Sequence, residues 1–211
     1  MTSITVLDAA ELAQAAYKGG QLPPVLMPIN EGHVQAYFLK DGTLVVRGSD
    51  EAADYTKTNL VASKVKLSWA GMDAAAQAAR WHKGFAKHAM VVIRHMGTRR
   101  PKLIIGHSLG GAVAQILGCI YNVPAIGFAS PRPLVAKSRL AAEKLILNVV
   151  RNDDIVARVP PASMGFRWAG NSEVMHAKKT NKGEDHSMKQ YMKLLKTEVA
   201  EGKVIKKWPV G

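Results

Sequence analysis

The chain has 211 residues, of which 47% are hydrophobic and 21% charged, a balance that excludes a disordered or fibrous protein. This length suits one substantial core, so we expect a single domain over residues 1–211. The formal net charge of +13 favours transient contact with anionic membrane surfaces, but no basic ribbon interleaved with aromatic residues accompanies it, so no nucleic-acid partner is predicted.

The N-terminal part of the chain predicts a helix followed by a β-hairpin. Asp8 and Glu11 have the spacing of a capping box, which predicts a short helix that begins near Asp8 and ends before Gly19. The pattern predicts strands at residues 33–39 and 43–47, and the Asp-Gly pair between them favours a tight turn. These two strands should therefore be antiparallel neighbours.

The middle of the chain predicts a helical stretch and then an alternation of strands and helices. Residues 74–96 follow Asp73, a suitable N-cap, and have the apolar spacing of one long helix or two joined helices. The elements predicted after them are strand 102–106, helix 109–120, strand 124–128, helix 137–144 and strand 145–151. The continuously apolar first strand is typical of a parallel sheet covered on both faces, so the alternation indicates an α/β fold.

The last third of the chain predicts one clear helix. Beyond residue 161 the pattern weakens, and short strands are expected within residues 166–174. Residues 187–200 form an amphipathic helix with an apolar face made of Met188, Tyr191, Met192, Leu195 and Val199. Its opposite face carries lysines, which should remain in water.

A nucleophile pattern lies where a buried strand is predicted to meet a buried helix. Residues 106–110 read Gly-His-Ser-Leu-Gly and match G-x-S-x-G. The glycines two positions before and after Ser108 would let the strand and the helix approach closely, and the hydroxyl would project at the helix N-terminus. The alternative is a glycine-rich turn in which Ser108 is only an N-cap.

A serine nucleophile needs a base, and the base needs a carboxylate to orient it. Asp153 and Asp154 follow the predicted strand 145–151, and His176 and His186 are the only histidines after them. The chain order Ser, Asp, His is the one expected for this kind of turn. These residues by themselves do not decide between the two aspartates or between the two histidines.

Six blocks of residues, in order, resemble the class 3 lipases, a family typified by fungal triacylglycerol lipases. The blocks are VVRGS at 45–49, WHKGF at 81–85, GHSLGG at 106–111, FASPR at 128–132, NDDIVARVPP at 152–161 and the segment 185–191. The resemblance implies an α/β-hydrolase fold, with a mostly parallel central sheet flanked by helices. It further implies Ser108 as nucleophile, Asp154 as acid and His186 as base, with Ser49 and the N–H of Leu109 stabilising the oxyanion.

The resulting hypothesis is a serine esterase or lipase that acts on an ester or lipid substrate through an acyl-enzyme and needs no metal or organic cofactor. In the family a lid follows the oxyanion serine, but residues 50–63 here contain few bulky apolar groups, so short to medium acyl chains are expected. The alternatives are a phospholipase, an acyltransferase on the same fold, or a non-catalytic protein that binds anionic surfaces.

The compartment is predicted from cysteine usage and from the first residues. Cys119 is the only cysteine, which excludes a disulfide framework and a cysteine-based zinc site. Residues 1–10 lack the basic start and the apolar stretch of a signal peptide. A cytoplasmic location is expected by default, and a secreted form with a removed leader is the open alternative.

Overall fold

The computed structural model describes residues 3–18, 22–48, 63–70, 72–178 and 185–209. The helices of these residues are α1 Val6–Lys18, α2 Ala74–Ala78, α3 Lys83–Met96, α4 Leu109–Tyr121 and α5 Met188–Ala200. The strands are β1 Ile4–Thr5, β2 Val25–Glu31, β3 Val34–Leu39, β4 Thr43–Val46, β5 Lys64–Val65, β6 Arg80–His82, β7 Leu103–His107, β8 Ala125–Phe128, β9 Leu134–Val135, β10 Ile146–Arg151, β11 Asn171–Met175 and β12 Lys207–Trp208.

The central sheet of the described residues has seven strands in the order β11-β10-β8-β7-β4-β3-β2. The strands from β11 to β4 are parallel, and β3 and β2 extend one edge as antiparallel strands. Small antiparallel sheets, β5-β6-β9 and β1-β12, lie outside it. The predicted mostly parallel sheet and the predicted β3-β4 hairpin are confirmed.

Helices cover both faces of the sheet because successive side chains of its strands point to opposite faces. In β7, Ile104 belongs to the core that α3 and α4 complete. Its neighbours Leu103 and Ile105 belong to the second core, on the face that α1 and α5 cover. Each fully buried side chain of this size stabilises the fold by roughly 1.5–3 kcal/mol relative to an exposed one. The strands β4, β7, β8 and β10 are accordingly buried along their whole length.

The first helix begins earlier than its capping box predicts. The Thr5 hydroxyl accepts the N–H of Asp8 at 3.0 Å, so Thr5 rather than Asp8 occupies the capping position. The reason is tertiary, because Ile4 pairs with Trp208 in the small β1-β12 sheet and the chain enters the helix directly from that strand. The capping prediction at Asp8 was wrong.

A strand separates the two helices found within residues 74–96. The side chain of Asp73 accepts the N–H of Ala76 at 2.7 Å, which confirms the predicted N-cap. The backbone then becomes extended at Ala79, and the fully buried Trp81 pairs across β6 with residues of β5 and β9. Pairing with distant strands overrides the helical preference of the alanine-rich sequence.

The helix predicted at residues 137–144 is only a 3-10 turn, Ala141–Leu145. There the buried Glu143 carboxylate accepts the backbone N–H groups of Leu140 and Gly170 and pairs with Arg167. These contacts hold a tight turn that leads into β10. In contrast, α5 is confirmed with its apolar face buried and its lysines exposed. No helix among the described residues is long and apolar enough to cross a bilayer.

Candidate active site

Ser108 lies in a sharp turn between β7 and α4, with its backbone at φ 56° and ψ −128°. A Cβ added at Gly106 would lie 2.1 Å from the carbonyl oxygen of Gly110, and one added at Gly110 would lie 2.1 Å from that of Val46. Only glycine fits at these two positions, which is the close approach that the G-x-S-x-G pattern predicts. Residue 108 carries the strain of a positive φ, which is characteristic of functional turns.

The structure brings Ser108, His186 and Asp154 together. The Oγ atom of Ser108 lies 2.7 Å from Nε2 of His186, and Nδ1 of His186 lies 2.9 Å from Oδ2 of Asp154. Because a carboxylate can only accept hydrogen bonds, Nδ1 of His186 carries the proton and Nε2 accepts the proton of the serine hydroxyl. This is the order of contacts that nucleophilic attack by a serine requires.

The Asp154 carboxylate is almost completely buried, at 1% exposure, and fully hydrogen-bonded. Besides His186, it accepts the Tyr191 hydroxyl at 2.7 Å and the N–H groups of Val156 and Ala157 at 2.9 and 3.4 Å. Burial raises the pKa of the Asp154 carboxyl, but the hydrogen bonds from His186 and Tyr191 lower it by more, so the pKa lies below its ordinary value. The group is therefore a permanent anion behind the imidazole.

The alternative acid and the alternative base have other environments. Asp153 makes a two-point contact with the guanidinium of Arg151, at 2.9 and 2.8 Å. His176 is exposed at the surface, two positions from the exposed Lys178. Among the described residues, Asp154 and His186 are the pair hydrogen-bonded to each other and, through His186, to Ser108.

A second chain of hydrogen bonds runs beside the serine. Nε2 of His107 lies 2.9 Å from the carbonyl oxygen of His186, so it must carry a proton, and Nδ1 accepts the Tyr17 hydroxyl at 2.6 Å. The Tyr17 oxygen in turn accepts the N–H of Gly48 at 3.0 Å. Burial, together with the charge of nearby His186, lowers the pKa of His107 to about 3. His107 is therefore a neutral structural histidine, as expected for a protein whose serine needs one base.

We expect His107 to make the folded protein less stable in acid. Its pKa is about 3 when folded and near 6.5 when unfolded, so between these values only the unfolded chain binds the proton. Its contribution to stability is complete above pH 6.5 and is lost, at up to about 1.4 kcal/mol per pH unit, as the pH falls towards 3. Urea unfolding of the wild type and of His107→Gln at pH 7, 6, 5 and 4 measures this slope.

The glutamine variant keeps a donor for the His186 carbonyl but cannot titrate, so its free energy of unfolding should fall less steeply with acid. His176→Gln, at an exposed histidine, is the matched control and should retain the wild-type slope. Equal slopes for wild type and His107→Gln would contradict the assignment of this acid sensitivity to His107.

Of the two residues predicted to stabilise the oxyanion, the structure describes Leu109 but not Ser49. Leu109 is the first residue of α4, where backbone N–H groups have no partner within the helix. Ser49 lies outside the described residues, as do positions 50–62 of the predicted lid. Gly48, directly before Ser49, lies against Ser108, because a Cβ added there would be 2.8 Å from Cβ of Ser108.

Several residues around the site escape sequence reasoning. Tyr191 was predicted as a core residue, yet its hydroxyl also binds Asp154. Arg151 ends the predicted strand 145–151 and Asp185 directly precedes His186, but no spacing in the sequence indicates the ion pair between them. The signal that could have indicated the role of Tyr191 is a tyrosine within an apolar helix face, because a buried tyrosine hydroxyl usually finds a hydrogen-bond partner. No group of three or more His, Cys, Asp or Glu within the described part of the chain could hold a metal ion.

Comparison with known proteins gives matches of several kinds. A family model described as lipase (class 3) matches residues 43–164, more than half of the chain. A curated Yarrowia lipolytica protein named as a lipase, ATG15, is 38% identical over 48 residues, which are 23% of this chain and 9% of that protein. This chain therefore aligns with only a small part of that relative.

The solved structures share the fold at low identity. The lipase from Rhizopus microsporus var. chinensis superimposes with a TM-score of 0.59 at 16% identity, covering 89% of this chain and 84% of that one. Lipase II from Rhizopus niveus gives a TM-score of 0.55 at 18% identity, with coverage of 83% and 78%. These likenesses confirm the predicted α/β-hydrolase fold.

Proposed function

The chain belongs to the class 3 lipase family, and from this premise we propose that it is a serine hydrolase of carboxylic esters. The observation that carries the proposal is the line of hydrogen bonds from Ser108 through His186 to Asp154, at 2.7 and 2.9 Å. In such a line a weakly nucleophilic hydroxyl gains a base, and the base gains a fixed orientation. The substrate class is a carboxylic ester, including the esters of lipids.

The proposed reaction has two halves. Nε2 of His186 takes the hydroxyl proton while Oγ of Ser108 attacks the ester carbonyl, and the same proton then passes to the leaving alcohol as the acyl-enzyme forms. Water, activated by His186, attacks the acyl group and releases the acid and the free serine. Asp154 remains ionised throughout, since its lowered pKa opposes protonation, and it stabilises the imidazolium that forms beside it.

The negative charge of each tetrahedral intermediate needs donors aimed at the developing oxyanion. We assign this role to the N–H of Leu109, in the first turn of α4, together with Ser49, which follows Gly48 beside the nucleophile. Preorganised donors of this kind contribute on the order of 10²–10³ to the rate each. The Leu109 N–H also benefits from the partial positive charge of the helix N-terminus.

A fluorophosphonate probe and a series of p-nitrophenyl esters test the proposal directly. Wild type should hydrolyse these esters and become phosphonylated at Ser108, whereas Ser108→Ala should do neither. A protein that only binds anionic surfaces would show no labelling. Phospholipid substrates, and an alcohol acceptor added to the ester assay, distinguish the phospholipase and acyltransferase alternatives, because fold and triad do not determine the acyl group or the acceptor.

We predict an esterase-like profile with a preference for short to medium acyl chains. Interfacial activation needs an apolar cover that gains a lipid partner on opening, at about 25 cal/mol per Å² of apolar surface transferred. Among residues 50–63 the only large apolar side chains are those of Tyr55, Leu60 and Val61. Hydrolysis of tributyrin should therefore rise smoothly across its solubility limit, and a series of C4 to C16 esters should peak at the short end.

A sharp increase in rate at the solubility limit, or highest turnover on the C16 ester, would show that the cover is more lipophilic than its sequence suggests. The matched comparison is a variant with Leu60→Ser and Val61→Ser. If the segment contributes little to interfacial opening, this variant should keep the same curve shape as the wild type.

We further propose weak, salt-dependent contact with anionic membrane surfaces through the exposed face of α5. Lys189, Lys193 and Lys196 are exposed there, whereas Glu198 of the same helix is buried. Near an anionic bilayer each lysine contributes about 1 kcal/mol, so changing all three to glutamine should weaken binding on the order of 10²-fold. Sedimentation with phosphatidylserine vesicles at low and high salt measures it, and equal binding to phosphatidylcholine vesicles would contradict it.

A further inference from the structure

A buried charge cluster joins the residues that directly precede the acid and the base. The guanidinium of Arg151 contacts Asp153 through Nε and Nη2, at 2.9 and 2.8 Å, and the same Nη2 contacts Asp185 at 2.8 Å. All three side chains are under 10% exposed. Asp153 precedes Asp154 and Asp185 precedes His186, so one guanidinium connects the two loops that supply the acid and the base.

Arg151 belongs to the central sheet, whereas Asp153 and Asp185 lie in turns. It is the last residue of β10, and it pairs with Met175 of β11. Its backbone N–H donates to the Tyr191 hydroxyl at 3.0 Å, and this hydroxyl donates to Asp154. The cluster therefore links the two loops to a strand end that lies inside the sheet.

The contacts require the shape of arginine as well as its charge. Its planar fork binds both oxygens of Asp153 in a two-point contact, which an ammonium group cannot reproduce. Nη1 lies 3.5 Å from the carbonyl oxygen of Gln190, in the first turn of α5. The hydrogen bonds to Asp153 raise the pKa of the Arg151 guanidinium, which therefore remains charged.

We propose that Arg151, Asp153 and Asp185 form a positioning clamp that fixes the separation of the Asp154 carboxylate from the His186 imidazole. The proposal rests on the proposed function, since it assigns these residues to the same hydrolytic site. None of the three touches the reacting atoms. The clamp acts through the backbone, because each aspartate adjoins a residue of the acid–base pair and cannot move without displacing it.

Loss of the clamp should lower kcat more than it changes KM. Misplacement of a catalytic group by about 1 Å can cost on the order of 10²-fold, whereas binding of the ester does not depend on the acid–base separation. We therefore expect Asp185→Ala to lower kcat by about 10- to 100-fold with KM within about 3-fold of wild type. Asp185→Asn keeps an acceptor for Nη2 and should remain within several-fold of wild type.

A double-mutant cycle that combines Asp185→Ala with His186→Ala distinguishes a positioning role from a general loss of structure. In a His186→Ala background there is no base to position, so adding Asp185→Ala should change the residual rate by less than about 2-fold. Arg151→Lys is the second variant, since it keeps the charge but loses the two-point contact. It should lower kcat by about 10-fold and provides the test if Asp185→Ala does not fold.

Glu143→Ala is the matched control for a lost buried ion pair. Glu143 is a buried acid paired with Arg167, but it precedes the opposite end of β10 from Arg151, and the strand itself spans about 17 Å at roughly 3.3 Å per residue. Its loss should lower the unfolding temperature while leaving kcat near wild type. This control shows what destabilisation alone does to the rate.

The measurements are p-nitrophenyl butyrate kinetics, fluorophosphonate labelling rates and thermal unfolding of each variant, beside wild type and Ser108→Ala. Wild-type kcat in Asp185→Ala and in Arg151→Lys overturns the clamp, as does an equal loss with and without His186. An inactive, unlabelled wild type overturns the proposed function instead. A lowered kcat at constant KM that disappears in the His186→Ala background supports the clamp.

Discussion

Replacing Ser108 with alanine is expected to lower ester hydrolysis on the order of 10³-fold or more while the protein remains folded. The hydroxyl is the attacking group in the proposed reaction, and its contact with His186 at 2.7 Å has no substitute in alanine. The fold should persist because alanine has the same Cβ as serine, so the strain at φ 56° is unchanged. The measurement is kcat/KM on p-nitrophenyl butyrate together with circular dichroism.

His186→Ala should lower the rate about as much as Ser108→Ala, and the double variant should be little worse than either single one. Residues that act as one unit lose their effect together, so their contributions do not add. Ser130→Ala is the matched control, since it removes another buried serine hydroxyl, one with no hydrogen-bond partner among the described residues. Near-normal turnover in Ser108→Ala or in His186→Ala would remove the triad assignment.

Asp154→Asn is expected to lower kcat by about 10³- to 10⁴-fold with the fold intact. An amide can donate its own hydrogen bond towards Nδ1 of His186, which favours the imidazole tautomer that cannot accept the proton of Ser108. The N–H groups of Val156 and Ala157 bind Oδ1 and would still find an acceptor in the amide oxygen, whereas the Tyr191 hydroxyl, which binds Oδ2, would have to rotate and accept from the amide. The loop should therefore keep its shape. The measurement is the pH profile of kcat for wild type and variant.

Asp153→Asn is the matched control, one residue away and equally conservative. Its amide oxygen can still accept one of the two hydrogen bonds from Arg151, and the position does not contact His186, so turnover should stay within several-fold of wild type. If the larger loss appeared at position 153, the assignment of the acid in this loop would be off by one residue. The pair of variants therefore tests which of the two aspartates is the acid, as well as whether its carboxylate is needed.

Local sequence patterns correctly predicted the strands and helices that depend on local interactions or are completely buried. The apolar strand 102–106, the G-x-S-x-G turn and the helix after it follow from spacing alone, because a strand covered on both faces must be apolar throughout. The amphipathic pattern of α5 likewise identified its buried face. The helix predicted at 137–144 is only a 3-10 turn, and the predicted helical stretch at 74–96 is two helices separated by the strand β6, since distant residues hold both segments in other conformations.

The candidate site was likewise predictable from the sequence only in part. The sequence by itself limited the nucleophile to Ser108 and the partners to two aspartates and two histidines, and the family resemblance selected Asp154 and His186. Only the tertiary structure decided which of them face each other, because the contacts join positions 32 and 78 residues apart in the chain. The roles of Tyr191 and Arg151 were likewise beyond sequence reasoning. The spacing of apolar residues in α5 indicates that Tyr191 is buried, but the groups that Tyr191 and Arg151 contact depend on how strands and loops pack together at one end of the sheet.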